Sequence, residues 1–584
     1  MAQAIVAQVL FKATNRECCW HLRASTAMTT WSLLCALFLA LVALAKVSEI
    51  SVDCTALSAR ACRVKWSIDP RASAYAFYDK ATNLTTGFTT LDVRAGSIAY
   101  TSEEAQLHAA FAAGFAEGML TAEEIPAYQK NAYDSVFECH KWGDDCSGPS
   151  RKLRSFVERN DAYTRQKAAF LAKYDDFWQE VSMVLARFDG LVAGYGEMAA
   201  QKGLRRLSTR DLLWANLNDD LGDLQVKFGG IPPQKRLGHC STLFRLTPGN
   251  KDLYFGHTTW DVFALAAPRI WKHLTLPVRR SGALHERTNS HTSSPGIITS
   301  LDDWFVISEL RRASGRVGTP SPVASLVITP TTNFIYKTKL YDLVKEDCVL
   351  YWIRVMATNA LAVSASDWAR IFSREASGTD NNQWQIADLL LFEPGRPLRP
   401  NTFVVLEEVP GLVHYEDQSA RLQADRYWPS FNVAYYSATR ELAGERDSFT
   451  EHPRARLFRE MQGSVMDDAS MRRVMGWNDY RHNPISRGDP QYAIAARNDL
   501  GRPPFAEGGY DSKMSSWRHV AREGTSFGRA GPTHDDLPPF CWLEGEQFAR
   551  MTHEGHPHCF NFSWGAFAPR PSPGMEPAVE ALVV

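Results

Sequence analysis

The chain has 584 residues and is 45% hydrophobic, enough to bury a sizeable core as two or three average domains or as one large domain with insertions. Its 64 Lys and Arg nearly balance 65 Asp and Glu, for a formal net charge of −1. No basic block runs through it, so nucleic acid is not an expected partner.

Residues 1–45 read as a targeting leader. Residues 31–45 are uncharged and apolar and close on Ala43-Leu44-Ala45, the pattern of a signal-peptide core with a small-residue cleavage site. A signal anchor is the rival reading. Met28 stands just before that stretch, after Lys12, Arg16 and Arg23, so starts at Met1 and at Met28 both stay open. No later stretch reaches the roughly 20 apolar residues that span a bilayer, so no stable transmembrane span is expected after leader removal.

From 46 to 100 the chain predicts short strands and turns. A capping box at Thr101 and Glu104 opens an alanine-rich helix to about Leu120. Neither Pro nor Gly interrupts residues 150–188, and Phe177, Val181, Val184, Leu185 and Phe188 recur at helical spacing, which predicts one long amphipathic helix. Another helix over 209–228 ends at Gly229, Gly230, Pro232 and Pro233. Beyond this break, 241–246 and 253–255 form a hairpin about Pro248-Gly249-Asn250. A helix is expected from about Trp260, strands at 296–299, 323–329, 384–392 and 403–408, and helices at 349–360 and 365–374. The tail from Gly501 is rich in Pro, Gly, His and aromatic residues and reads as irregular surface structure. Helices first, then strands mixed with helices, predict an α+β protein: antiparallel sheets sandwiched by helices, with a helical N-terminal part.

Eleven cysteines suit an exported protein. Cys18, Cys19 and Cys35 fall in the leader region. Cys139 and Cys146 flank a polar loop and make a good local bridge; Cys54 with Cys62 and Cys541 with Cys559 are further candidates. Cys348 sits in an apolar run and reads as a buried thiol. Cys240 is left without a partner. Asn83 and Asn561 open Asn-x-Ser/Thr acceptors, which are expected to face solvent and to carry glycans.

Cys240 follows Gly238 and His239 at the head of a strand. There its thiol would attack the preceding carbonyl, convert the amide to a thioester and let water release the N-terminal piece. The new terminus would hold thiol and α-amine on one residue. An α-amine with an ordinary pKa of about 7.7–8.0 serves as a base at near-neutral pH. From the residues alone, an ordinary buried thiol is the plainer reading.

Residues 240–260, CSTLFRLTPGNKDLYFGHTTW, resemble the C-S-A/T, L-x-G-x-x-D-L and x-x-H-x-T-W block of the phospholipase B-like family, which includes the lamina-ancestor proteins and their lysosomal relatives. SGTDNNQW (377–384), EEVPGLV (407–413), YWPSFNVAYY (427–436), PRARLF (453–458), WNDYRHNPIS (477–486) and GPTHDDLPPFCW (531–542) match further blocks in order. The resemblance runs from about Ala72 to Pro569. It implies the N-terminal nucleophile (Ntn) hydrolase fold, an αββα sandwich. The implied parts are a leader (1–45), an N-terminal fragment (46–239) and a C-terminal fragment (240–584), the two fragments sharing one globule. By block, Cys240 aligns with the nucleophile, and His257 and Trp260 with an active-site pair. Thr332 aligns with a pocket threonine that orients the amine, Asn432 with the oxyanion donor, and Arg454 with an active-site arginine. The chain departs from the family at His239, where a small residue is common, and at Pro330, where an acid is often found. It also lacks the cysteine pair that some members carry after the WNDY-like block. The implied activity is deacylation of phospholipids or lysophospholipids through a Cys240 thioester, with no cofactor, in a lysosomal or extracellular setting. An amidase or N-acyl-peptide hydrolase would use the same chemistry. A non-enzymatic glycoprotein scaffold is the alternative of a different class.

Two other motifs carry less. Gly524-Thr525-Ser526-Phe527-Gly528 spells a nucleophile elbow, but its flanks lack the strand-then-helix context and predict a loop. His553, His556, His558 and Cys559 crowd together without the spacing of a structural zinc site or a zincin helix, and Cys559 is better read as bridged or buried.

Overall fold

The computed structural model describes residues 47–95, 102–137, 139, 148–229, 240–311, 321–542, 548 and 550–571. The expected leader, Thr101, Cys146 and His239 lie outside the described residues. In chain order the strands are β1 Ser48–Cys54, β2 Cys62–Lys65, β3 Ala74–Asp79, β4 Phe88–Ala95, β5 Ser241–Leu246, β6 Leu253–Thr258, β7 Trp260–Val262, β8 Arg269–Arg280, β9 Ala283–Ser293, β10 Phe305–Arg311, β11 Ser321–Thr332, β12 Asn382–Asp388, β13 Phe403–Val409, β14 Leu412–Asp417, β15 Tyr427–Ser430, β16 Glu507–Gly509, β17 Asp511–Ser516, β18 Ser526–Ala530 and β19 Gly565–Phe567. The helices that matter here are α1 Glu103–Leu120, α2 Arg151–Leu171, α3 Asp176–Lys202, α4 Thr209–Asn216, α5 Asn218–Lys227, α6 Tyr351–Leu361, α7 Ala365–Phe372, α8 Pro453–Met461, α9 Asp468–Met475 and α10 Trp517–Glu523.

One sheet runs β14-β13-β12-β11-β10-β9-β8-β4-β3-β1-β2 and a second runs β15-β5-β6-β17-β18-β19. Within the first sheet, β4 and β8 pair in parallel, from Phe88 with Arg269 to Arg94 with Thr275. This seam joins the chain before residue 229 to the sheet formed after residue 240. Alternation along each strand sends side chains to opposite faces, so each sheet can feed two cores. On the outer face of the first sheet, Ile270, Ile307, Ile328 and Ile386 pack with Phe111, Phe188, Trp352 and Trp368 of the helices. Between the sheets lie Phe88, Trp271, Trp304, Phe244, Phe255 and Phe403. The outer face of the second sheet packs Leu243 and Met514 against Phe458, Met471 and Met475 of α8 and α9. The layers are therefore helix, sheet, sheet, helix: the α+β sandwich expected.

Local departures have identifiable causes. The helix expected across 150–188 is two helices, because the Asp175 side chain accepts from the Phe177 N–H and caps a new start. Ser102 caps α1 by accepting from Ala105 N–H. The 209–228 helix divides at Leu217 into α4 and α5. The helix expected after Trp260 is instead β7, a single 3-10 turn and β8. Residues 269–275 of β8 are buried at every position, so they show no alternation of polar and apolar residues. Residues 296–299 form turn and bend rather than strand. The tail is irregular over 531–542 and 550–564, but not throughout: β17 lies inside the second sheet, between β6 and β18.

Cys54–Cys62 and Cys541–Cys559 are disulfides, Cys139 is also disulfide-bonded, and Cys240 and Cys348 are free and buried. The Cys559 bridge removes it from any zinc set. Asn83 and Asn561 are exposed. Ser526 opens β18 directly behind α10 and is buried, and helix-then-strand is the reverse of a nucleophile elbow. Among the described residues no helix is long and apolar enough to cross a membrane.

The helix layer rests on the close crossing of α1 and α3. A Cβ at Gly114, Gly118, Gly190 or Gly194 would land on the carbonyl oxygen of Arg187, Leu191, Phe111 or Phe115 respectively. Gly to Ala in a helix interior ordinarily stabilises by about 1 kcal/mol. Here overpacking against backbone reverses the sign. Gly118→Ala is expected to cost about 1–3 kcal/mol, read as a lower urea midpoint at unchanged slope.

Candidate active site

Cys240 immediately precedes β5 and is 3% exposed, with φ at 27°. The hairpin register sets Thr242 beside His257, and the next pairing sets His257 beside Lys513 of β17. These residues share a face of the second sheet. From it His257 Nε2 reaches the Pro330 carbonyl of β11 in the first sheet at 3.0 Å. The site thus lies between the two sheets.

The Cys240 thiol donates to Asp303 Oδ2 at 3.6 Å. Burial first, and then the Asp303 carboxylate, push the thiol pKa well above its ordinary value. A carbonyl only accepts, so His257 must hold its proton on Nε2, and Nδ1 keeps a lone pair 3.3 Å from the Thr259 hydroxyl. Burial, then the Lys513 charge, drive the His257 pKa well below its ordinary value. The ring is therefore neutral, with Nε2 a donor.

Arg454, the second residue of α8, closes the other side. Its Nη1 donates to Cys240 O at 2.6 Å and Ser241 Oγ at 3.3 Å, and its Nη2 to Phe431 O at 2.7 Å and Asn432 Oδ1 at 2.5 Å. The guanidinium lies 4.4 Å above the ring of Trp260, whose Nε1 donates to Ile494 O at 2.9 Å. Burial lowers the Arg454 pKa to about 9, which still leaves it charged at pH 7. Asn432 adopts φ 73°, a region Asn tolerates better than most residues. Its Nδ2 donates to Thr332 O at 3.1 Å and its backbone N–H to Thr331 Oγ1 at 3.4 Å. Thr331 Oγ1 also shares a 2.6 Å hydrogen bond with Ser430 Oγ.

The six residues singled out from the sequence thus fall into two linked groups. Arg454 ties Cys240, Trp260 and Asn432 together. His257 approaches from the other side, with Nε2 3.9 Å from Asp303 Oδ2. Thr332 joins through its carbonyl, while the hydroxyl bonded to Asn432 belongs to Thr331, on the opposite face of β11.

Sequence reasoning missed Asp303 and the charges that brace it. Lys513 Nζ lies 2.7 Å from both Asp511 oxygens and donates to Thr259 Oγ1 at 2.7 Å. It also stands 3.9 Å from Asp302 Oδ2, a carboxylate that pairs with Arg269. Thr259 Oγ1 reaches Asp302 O at 2.9 Å. Thr259 lies inside the H-x-T-W block and was findable there. Asp303 and Lys513 had no local signal.

Cys240 Sγ, a His257 nitrogen and an Asp303 oxygen lie within 4.8 Å of one another, close enough for one metal ion to gather. Such an ion would have to displace the thiol proton and the His257–Pro330 bond. The arrangement is more simply that of a buried thiol with a carboxylate acceptor at one side and a fixed cation at its own carbonyl.

Fold and site together define an α+β sandwich protein with a free thiol set between its two sheets. The chain belongs to the phospholipase B family, whose model matches residues 74–567. It is 33% identical to human "Phospholipase B-like 1" over 87% of this chain and 89% of that protein. It is 30% identical to "Phospholipase B" of Crotalus adamanteus over 87% of this chain and 90% of that protein. "Phospholipase-B 81" of Drysdalia coronoides gives 30% identity over the same 87%, covering 90% of the relative.

Proposed function

We propose that the chain is a phospholipase B-like hydrolase that cuts itself between His239 and Cys240 and then deacylates phospholipids or lysophospholipids through a Cys240 thioester. Family membership supports the hydrolase. The observation that carries the chemistry is a free, buried thiol heading β5, with Arg454 donating to both Cys240 O and the Asn432 amide. In the mature enzyme the Cys240 α-amine takes the thiol proton, and Sγ attacks the ester carbonyl. The carbonyl oxygen becomes an oxyanion, facing the Asn432 Nδ2 hydrogen that Thr332 does not use. The C–O bond breaks, the departing alkoxide takes the proton, and water then hydrolyses the thioester. Asn432 would contribute about 2.7–4 kcal/mol to such a step. His257, neutral and fixed by Pro330, orients rather than accepts. Trp260 supports Arg454 from beneath.

The proposed fragments, 46–239 and 240–584, stay joined through the β4–β8 seam. Cys54–Cys62 closes before the junction and Cys541–Cys559 after it. Material from a secretory host is therefore expected to give two bands on a nonreducing SDS gel, yet to elute as one species in gel filtration. N-terminal sequencing of the larger fragment should begin Cys240-Ser241-Thr242. Disulfides and the exposed Asn83 and Asn561 acceptors favour passage through the secretory pathway, with a lysosomal or extracellular destination. The same gel-purified protein tests substrate: release of fatty acid from lysophospholipid supports the ester reading. Turnover of N-acyl amides alone would replace it with an amidase. No turnover and no acylation of Cys240 would leave a scaffold.

A further inference from the structure

We infer that Asp303 is the base that accepts the Cys240 thiol proton when the chain cuts itself, a role distinct from that of the α-amine in the mature enzyme. The inference rests on the self-cleavage reading and answers a question that reading raises. Before the cut, the nitrogen of Cys240 is an amide, so the residue supplies no base of its own. The thiol is buried and strongly protonated, so it does not ionise unaided.

Among the described residues, the groups around it leave one acceptor. His257 commits Nε2–H to Pro330 O, and its Nδ1 faces Thr259. Lys513 and Arg454 are cationic donors, held by Asp511 and by the Cys240 carbonyl respectively. Among the described residues, Asp303 is the one that presents an oxygen to Sγ, at 3.6 Å, the range of an S–H···O hydrogen bond. Its placement is built rather than incidental. Asp303 holds φ 63° in the loop before β10, and the adjacent Asp302 is anchored by Arg269, Lys513 and Thr259. Asp tolerates that region as Asn does, and the anchored Asp302 beside it holds the position.

The charged groups facing Asp303 set its proton affinity. Burial above all raises its pKa, helped by Asp511 and Asp261 and opposed by Lys513 and the thiol hydrogen bond, for a net value of about 7. The Asp303 charge in turn disfavours ionisation of the buried Asp219 and Asp380. A carboxylate tuned near neutrality both takes a proton and returns it. In the first step the Sγ proton moves to Asp303 and sulfur bonds to the residue 239 carbonyl carbon. The carbon–nitrogen bond then breaks, and the departing nitrogen takes that proton back from Asp303. The products are a thioester and a free α-amine. Water adds to the thioester carbon, the carbon–sulfur bond breaks, and the thiolate takes the water's proton. Asp303 ends as it began, now as the neighbour of the new α-amine.

The test is the half-life of the junction in purified, uncut full-length precursor, followed by intact mass, with folding checked by near-UV circular dichroism. Asp303→Asn is expected to lengthen it at least about 100-fold, and Asp303→Glu to recover part of the rate. The wild-type rate should rise with pH from 5 and level off near 7, where Asp303 becomes a carboxylate, and the Asn variant should lose that inflection. Folded Asp303→Asn cutting at the wild-type rate would overturn the assignment. Should the Asn variant misfold, a wild-type rate flat from pH 5 to 8 overturns it equally. Cys240→Ala separates the two claims: if that variant is also cut, self-cleavage itself fails. If it stays whole while Asp303→Asn cuts normally, only the Asp303 role falls.

Discussion

Replacing Cys240 by alanine is expected to leave one continuous, folded chain with the bond before residue 240 intact and lipid turnover lowered by about 10³-fold or more. The change deletes one sulfur from a site that is 3% exposed, so its folding cost is on the order of 1 kcal/mol. Chemistry, not stability, therefore decides the outcome. Cys240 also sits at φ 27°, a torsion costing on the order of 1–3 kcal/mol in a non-glycine residue. That torsion is defined across the bond proposed to be cut and would cease to exist after the cut, so strain relief would favour cleavage. Alanine and serine inherit the same strain, which isolates the sulfur as the variable. Cys240→Ser keeps a nucleophile of the same shape but far weaker acidity, and slow cleavage is expected. Intact mass and N-terminal sequencing read all three proteins. An alanine chain split at the same bond would assign the cut to another protease, and an alanine chain with full turnover would remove the thioester.

The parts of this site that the sequence disclosed are those written locally. The β5–β6 hairpin announces itself by strand, Pro248-Gly249-Asn250 turn and strand, and it sets His257 beside Thr242, two residues beyond Cys240. Asn432 and Arg454 emerged only through resemblance of separate blocks, since nothing local distinguishes a capping asparagine or a helix arginine. Asp303 could not be found, because its proximity to Cys240 is created by packing one sheet on the other. β17 was misread for a different reason. Asp511-Ser512-Lys513-Met514-Ser515-Ser516 carries no apolar alternation, yet every residue is buried. Its polar atoms find partners inside: Ser512 with Thr258, Ser515 with Thr525 O, Lys513 with Asp511. A strand that buries satisfied polar groups looks like a loop to any rule based on hydrophobic period. The 150–188 helix fails in the opposite sense, for its periodicity continues through a break that only the Asp175 cap marks.

Arg454→Met is expected to keep the fold while lowering kcat about 10²–10³-fold, with a smaller change in KM. Methionine is long and apolar, so it fills the space above Trp260 that the guanidinium occupies 4.4 Å from the ring. It donates nothing to Cys240 O, Ser241 Oγ, Phe431 O or Asn432 Oδ1, all of which accept from Arg454. Buried acceptors left unsatisfied cost about 1–3 kcal/mol each and share part of that loss as the site relaxes. A net destabilisation of about 2–4 kcal/mol is the expected reading from urea unfolding, within the range for breaking a buried hydrogen-bonded charge. The catalytic loss has a separate origin. Arg454 fixes the Asn432 amide by holding Oδ1, which aims Nδ2 and keeps oxygen from rotating into the position proposed for the oxyanion. Without it the amide can present either end, and an acceptor facing an oxyanion repels it. Arg454→Lys retains charge but not the fork that spans Cys240 O and Asn432 Oδ1, so it should fall between the two proteins in kcat. If the folded methionine variant turned over substrate at the wild-type rate, Asn432 would not depend on Arg454, and the donor to the oxyanion would have to be sought elsewhere.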